Sequence, residues 1–439
     1  MSIVRKILSF QLVSACFLFS LCSCSRDPVP ENTGNIDPAL ASQYFREFDA
    51  MCNEDNGELW GLSFCGPILI VDPATRIAVG NRADTEKVLR PLGDLFAGPL
   101  PDEIGIANTA MDWDGTRWTM LIWWSLGGDS NERLRLMAHE AFHRLQPELG
   151  LTAFGEINAH LDTADGRFWL QMEWNALQKA LLAEGAVRRE AVTDALTFRE
   201  LRRDLFPHAA EREIPLEIFE GLAEYAGMRL AGFSSEQLLE AVSNKRNTET
   251  GLVRSFAYVT GPLYGYLLDD SEVDWRERTS SETDLGALLS EVSHLSHVSI
   301  DEADRRAERY DAATLRAAET ERERKRTEQL DAWRASLIEG PVLVLDLNAV
   351  SSGSFDPGRV FPFDENQTVY TTRRLIAEWG VLTVDEGAIL ENGNTGRAHV
   401  SLSGADADFT TGDGWTLELA EGWKVVAADR TGDVAVRRN

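Results

Sequence analysis

Apolar residues do not keep one rhythm along this chain. Over residues 66–81 they form two short runs, ILIV and IAV, parted by the turn formers Asp72-Pro73-Ala74. That pattern predicts a β hairpin. A second β segment covers 104–126, where Asp114-Gly115 predicts the turn between DEIGIANTAMDW and TRWTMLIWWSL. At Gly127 the rhythm becomes helical. Asp129-Ser-Asn-Glu132 reads as a helix N-cap with an acid in its first turn. Beyond it Leu134, Met137, Ala138, Ala141, Phe142 and Leu145 fall on one helical face, and Pro147 is expected to end the helix.

Further helical patterns lie at 38–51, 167–184, 186–205, 215–231, 235–244, 252–268 and 285–293. Residues 301–338 read as one long, highly charged helix with a solvated face and no sustained heptads. After Gly340-Pro341 seven short apolar runs, from GPVLVLDL to DVAVRRN, predict a small antiparallel barrel or sandwich. The succession predicts an α+β fold: a sheet part at 38–126, a helical part at 127–339 and an all-β domain at 340–439.

Composition narrows the function classes. A chain of 439 residues with 44% hydrophobic and 26% charged residues is globular, with two or three domains expected. The formal net charge of −28 excludes the basic footprint that phosphate binding needs, so no nucleic-acid partner is expected.

The N-terminus carries an address. Arg5 and Lys6 precede an apolar run that is shorter than the roughly 20 residues of a membrane-spanning helix. It ends in Leu21-Cys22-Ser23-Cys24, which resembles a bacterial lipobox. The resemblance implies a signal peptide at 1–23, lipidation of Cys24 and a tether at 24–37. It also implies a domain outside the cytoplasm, held to a membrane of the cell envelope by lipid alone. The simpler reading is a plain secretory signal cut nearby. Either route leaves Cys52 and Cys65 in an oxidising compartment. A disulfide between them would close a short loop, worth roughly 3 kcal/mol; two free thiols are the other reading.

The chemistry concentrates in His139-Glu140-Ala141-Phe142-His143. On a helix, positions i and i+4 share a face about 6 Å apart, so two imidazoles can converge on one zinc ion. Glu140 is then placed to act as general base on a zinc-activated water. Arg144 follows the second His, where zinc peptidases usually carry an uncharged residue. The longer HExxHxxGxxH pattern is excluded, because Gln146 and Leu149 stand where it needs Gly and His.

A third ligand must come from elsewhere. Residues 216–225, LEIFEGLAEY, resemble the NEGxAxY segment of gluzincin aminopeptidases and the ExxxD segment of thermolysin-like enzymes. Phe219 replaces the usual Asn. The resemblance to gluzincin, peptidase-MA-like zinc metallopeptidases implies a zincin-like domain, an antiparallel sheet followed by a helical subdomain carrying HExxH, with His139, His143 and Glu220 as zinc ligands. It places Glu224 behind a ligand imidazole, fixing its tautomer. Glu173 is the rival ligand; His160 and Asp162 are lesser ones. Tyr258-Val-Thr-Gly261 resembles the family's Y-x-x-G segment, which implies that Tyr258 stabilises the oxyanion, with Tyr264 and Tyr266 as alternatives.

In zincins an edge strand binds the substrate backbone; 105–113 or 117–124 could serve. Ala110-Met111-Asp112 resembles the aminopeptidase GAMEN strand but lacks its Gly and has Asp for Glu. Trp113, Trp118, Trp123 and Trp124 are expected in the core. His294 with His297, His208 and His399 lack a ligand pattern. The reading is a lipid-anchored zinc metallopeptidase acting on a peptide or protein. The alternatives are a non-catalytic envelope lipoprotein that binds or assembles, and a metal hydrolase of another amide.

Overall fold

The computed structural model describes residues 33–152, 157–247, 251–271, 273–295 and 299–439. The signal segment, Cys24, most of the tether and His297 lie outside these. Among the described residues no helix is long and apolar enough to cross a membrane.

Helix α1 (Pro38–Asp55) opens on Asp37, whose carboxylate accepts from the Ala39 and Leu40 amides. Its end is tied to the following segment by a disulfide between Cys52 and Cys65. Strands β1 (Ile68–Asp72), β2 (Ile77–Gly80), β3 (Arg90–Leu92), β4 (Leu95–Pro99), β5 (Thr109–Trp113) and β6 (Thr116–Ile122) form a six-stranded sheet in the order β3-β4-β2-β1-β6-β5. Both hairpin expectations hold: β1 pairs antiparallel with β2, and β5 with β6 through Asp114 and Gly115, both at positive φ. The sheet is nevertheless mixed, not antiparallel throughout, because β6 pairs parallel with β1. That pairing joins strands far apart in sequence, which no local pattern encodes. The alternation of β1 sets two cores. Ile68 and Ile70 face the helical part, whereas Leu69 and Val71 pack with Trp118 and Met120 on the other face.

The helical part follows: α2 (Ser130–Leu149), α3 (Ala164–Leu181), α4 (Gly185–Leu205), α5 (Ala209–Leu216), a π-helical turn (Glu217–Gly221), α6 (Leu222–Leu230), α7 (Ser235–Asn247), α8 (Leu252–Ser255), α9 (Ala257–Asp269) and α10 (Leu285–Val292). Pro147 does not end α2. A missing donor in the last turn costs one bond, and the helix stops at Gly150, whose φ of 71° turns its amide back to the Gln146 and Pro147 carbonyls. The charged run is also not one helix. It breaks at Asp311 (φ 55°) into α11 (Ala303–Ala307) and α12 (Ala312–Arg334). Its face is not wholly solvated either: Glu319 is buried and accepts from Arg167 Nε at 2.5 Å.

Buried charge is concentrated between α3, α4 and α5. Arg199 donates to Glu217 (2.8 and 2.5 Å), Arg202 forks onto Glu213 (2.9 and 3.0 Å), and both reach Glu173 (3.1 and 2.5 Å). Every charge has a partner, which burial demands.

The C-terminal chain forms a ten-stranded sheet from β7 (Val342–Asp346), β8 (Val350–Phe355), β9 (Val360–Asp364), β10 (Gln367–Ala377), β11 (Gly380–Asn392), β12 (Arg397–Ser401), β13 (Thr411–Gly412), β14 (Trp415–Leu419), β15 (Trp423–Ala427) and β16 (Val434–Arg438). Strands β8, β9 and β13 go beyond the seven expected, and β16 pairs parallel with β7. One face gathers a core including Leu343, Leu345, Trp379, Leu382 and Trp415. The sheet docks on the helical part: the Gly251 amide donates to the Gly358 carbonyl at 2.8 Å.

Asp284 caps α10 and meets Arg199 (3.0 Å) and Arg203 (2.5 Å). Burial alone would raise its carboxyl, but the two guanidiniums outweigh burial and hold it well below the ordinary range. Such a group stabilises the fold fully above its unfolded value of about 4 and loses that contribution as pH falls through its folded value. Urea midpoints of wild type and Asp284→Asn, which keeps a capping oxygen, should therefore differ at neutral pH, with the gap narrowing progressively as pH falls below about 4. Parallel curves would mean that these ion pairs contribute nothing.

Candidate metal centre

Helix α2 presents His139 and His143 on its buried face, one turn apart. Their Nε2 atoms face each other at 3.2 Å. Glu220 brings a carboxylate oxygen to the pair, its Oε2 lying 3.6 Å from His139 Nε2 and 3.5 Å from His143 Nε2. Ligands at about 2.0–2.2 Å in a tetrahedron stand roughly 3.3–3.6 Å apart, so this triangle fits zinc.

Partners on the far side of each ring decide which nitrogen is bare. The Gln146 amide nitrogen donates to the Phe219 carbonyl at 2.9 Å, so its Oε1 must accept from His143 Nδ1, 2.7 Å away. His139 Nδ1 lies 3.1 Å from Glu224 Oε2, a carboxylate that can only accept. Both protons thus sit on Nδ1, and both Nε2 lone pairs point into the space before Glu220. Two lone pairs and a carboxylate converging in a buried spot repel one another unless a cation lies between them. Without such an ion, the carboxylates would draw a proton onto His139 in its place. Burial works against a charged His139, yet Glu220 and Glu224 overcome it and push the ring up to about 9. Burial would raise Glu220, but the two histidines hold it well below the ordinary range.

Close helix contacts hold Glu220 in place. It lies in the π-helical turn, a widened turn often found at functional sites. Gly221, the next residue, crosses α9 at Gly261, where a Cβ would lie 2.3 Å from Gly221 backbone atoms. That crossing brings Tyr258, one turn before Gly261, to the centre. Its hydroxyl donates to Glu220 Oε2 at 2.7 Å and its ring stacks on His139 at 5.5 Å. Burial and the Glu220 charge push the phenol well up, so it stays a donor. Gly227 lets α6 approach α2 in the same way, since a Cβ there would lie 2.5 Å from the Arg135 carbonyl oxygen. Arg135 Nη1 then donates to Glu224 at 2.7 Å, completing a chain from Arg135 through Glu224 to His139.

Glu140 is 5% exposed, and its Oε2 finds no hydrogen-bond partner among the described residues. Burial pushes its carboxyl up. It opens on a cavity of about 1130 Å³ that is also lined by both histidines, Glu220, Tyr258 and the 106–109 segment. That segment leads into β5, the last strand on its side of the sheet. Of the two edge-strand candidates, 105–113 therefore holds the edge, whereas 117–124 is paired on both sides over β6. Trp118 is buried as expected, but Trp124 is 64% exposed on the cavity wall.

The other candidates lie elsewhere. Glu173 is locked between Arg199, Arg202 and the Tyr264 hydroxyl (2.7 Å). His160 pairs with Glu213 at 2.7 Å, and Asp162 with Arg326 at 2.5 Å. Tyr266 donates to the Phe233 carbonyl. His208 meets Glu211, His399 meets the Leu337 carbonyl, and His294 stands at a positive-φ position. Arg144 points away from the centre, donating to the Phe64 carbonyl at 2.8 Å beside the disulfide.

Sequence reading missed Gln146 and Arg135. Gln146 served there only to exclude a longer motif, although its place three residues after His143 sets both on one helical face. Arg135 gave no sign, because its partner Glu224 is on another helix.

No family model matches the chain, and no curated protein or solved structure matches it either.

Replacing Gln146 with Leu frees His143 to rotate or change tautomer. Metal affinity, measured by chelator competition, should fall roughly 10–100-fold in protein that is still folded, with the melting temperature lowered by the buried groups left unpaired. Undiminished affinity would mean that Gln146 does not orient the ring.

Proposed function

We propose that this chain is a zinc metallopeptidase of gluzincin type, built on a zincin-like domain. The observation that carries the reading is the triangle of His139 Nε2, His143 Nε2 and Glu220 Oε2, with sides of 3.2, 3.5 and 3.6 Å. The order of elements supports it: a sheet with an exposed edge, the HExxH helix, then a helix bearing the third donor.

His139, His143 and Glu220 would hold the ion. Bound there, zinc supplies a Lewis acid that lowers the pKa of a water toward 7. Glu140, next to the ligands and open to the cleft, takes the proton of the attacking water and passes it to the leaving amine. Tyr258, a protonated donor on the cleft wall, meets the negative charge that develops on the substrate oxygen, after holding Glu220 in the resting site. Glu224 and Gln146 keep the two imidazoles in the tautomer that binds. The edge of β5 offers backbone groups to an extended peptide, which sets the scissile bond beside Glu140. The sequence of the first 24 residues supports lipid anchorage at Cys24 and action outside the cytoplasm.

Elemental analysis of the full chain should find one zinc in wild type and in Glu140→Gln, and none in Glu220→Ala. Glu140→Gln should lower peptide cleavage by roughly 10²–10⁴-fold. Glu173→Ala should leave zinc in the folded protein but destabilise it by about 3–5 kcal/mol, since two buried arginines lose a partner. Wild-type protein that takes up no zinc would overturn the reading.

A further inference from the structure

The cavity over the metal centre has a second wall, contributed by the C-terminal sheet. Ser354, Arg374 and Thr383 are cross-strand neighbours on β8, β10 and β11, so their side chains share one face. Thr372 and Asp385, themselves paired, extend that face by one row. All five residues line the cavity. These rows of the wall are polar, although Phe355 and Val384 of the alternate row also line the cavity, and the opposite side presents Ile106, Ile122 and the exposed Trp124.

Arg374 is the cation of this face. Its Nη1 donates to Thr383 Oγ1 at 3.1 Å, a neutral acceptor, and among the described residues it forms no ion pair. Arg373 differs. It sits on the alternate face and also lines the cavity, but its guanidinium is occupied by Glu391 at 2.7 Å and by the Tyr370 ring at 5.0 Å. The wall's carboxylates are Asp356, which caps the turn at Gly358 (2.8 Å), and Asp385, exposed on the outer row. Across the domain boundary stands Arg76, in the turn between β1 and β2. Arg76 is already engaged, pairing with Asp102 at 3.6 Å and donating to the Ile104 carbonyl at 2.7 Å. Arg374 thus stands without a carboxylate partner among the described residues, beside the cleft of a chain with net charge −28. A guanidinium whose partner is a hydroxyl keeps its planar fork of donors, which matches a carboxylate.

Resting on the metallopeptidase reading, we infer that Arg374 is the specificity-determining residue of the cleft. The preferred substrate carries a carboxylate that reaches Arg374 when its backbone lies along β5. An Asp or Glu side chain and a free C-terminus share that chemistry.

The test uses the full chain loaded with zinc, in a Glu140→Gln background, with fluorescent peptides in matched sets: Asp/Glu against Asn/Gln, and free against amidated C-termini. Anisotropy should show the carboxylate form binding roughly tenfold or more tighter. The set that shows the preference names the source of the carboxylate. Adding Arg374→Gln should remove that preference with zinc content maintained, and Arg374→Lys should restore part of it. Equal binding of charged and neutral peptides, no binding of either, or a preference that survives Arg374→Gln would overturn the inference. Wild-type cleavage of the same peptides, read by mass spectrometry, separates the two proposals. Selective binding without cleavage would sink the peptidase reading and leave the Arg374 site standing. Cleavage without charge preference would do the reverse.

Discussion

Two imidazole lone pairs and a carboxylate are pressed together where little water can reach them, and the surrounding structure is organised around that repulsion. The helix period supplies two of the three donors at no cost, because residues four apart share a face. The third is expensive. Glu220 must be carried in on another helix and held against its own desolvation. Gly221 against Gly261 and Gly227 against the Arg135 carbonyl let three helices close to backbone contact. Tyr258 and Glu224 then approach the cluster from α9 and α6.

A second buried cluster supports the first. Glu217 starts the π-helical turn that contains Glu220, and Arg199 grips it with two hydrogen bonds. Arg199 also holds Glu173 and Asp284, so α3, α4 and α10 all bear on the start of that turn. The network sets where the widened turn begins.

What the sequence made legible was local. HExxH is a spacing on one helix, and the Asp129 cap, the Asp114-Gly115 turn and the β1–β2 hairpin are short-range signals. Glu220 was readable through a motif, with Glu173 still open against it; only the fold separates them, by giving Glu173 to two arginines. What stayed hidden depends on facing across elements. Arg135 matters because Glu224 arrives from α6, and the parallel pairing of β6 with β1 joins distant segments. Strand β8, VSSGSF, has almost no apolar alternation, since its outer face is a polar cleft wall rather than a solvent surface or a core. Arg144, which looked like a departure from the motif, is a strut to the segment holding Cys65.

The cleft runs between the free edge of β5 and the β8–β10–β11 face, two surfaces from opposite ends of the chain. A folded domain has its backbone donors and acceptors already paired, and so has few to offer a strand edge. On the proposed reading, a strand without a fold of its own is the form that suits it, so the cleft would sort by conformation before it sorts by sequence. If the proposed activity holds, its natural occupants would be loose tails, unpaired loops and chains caught before they fold, and a protein would escape this site simply by completing its structure.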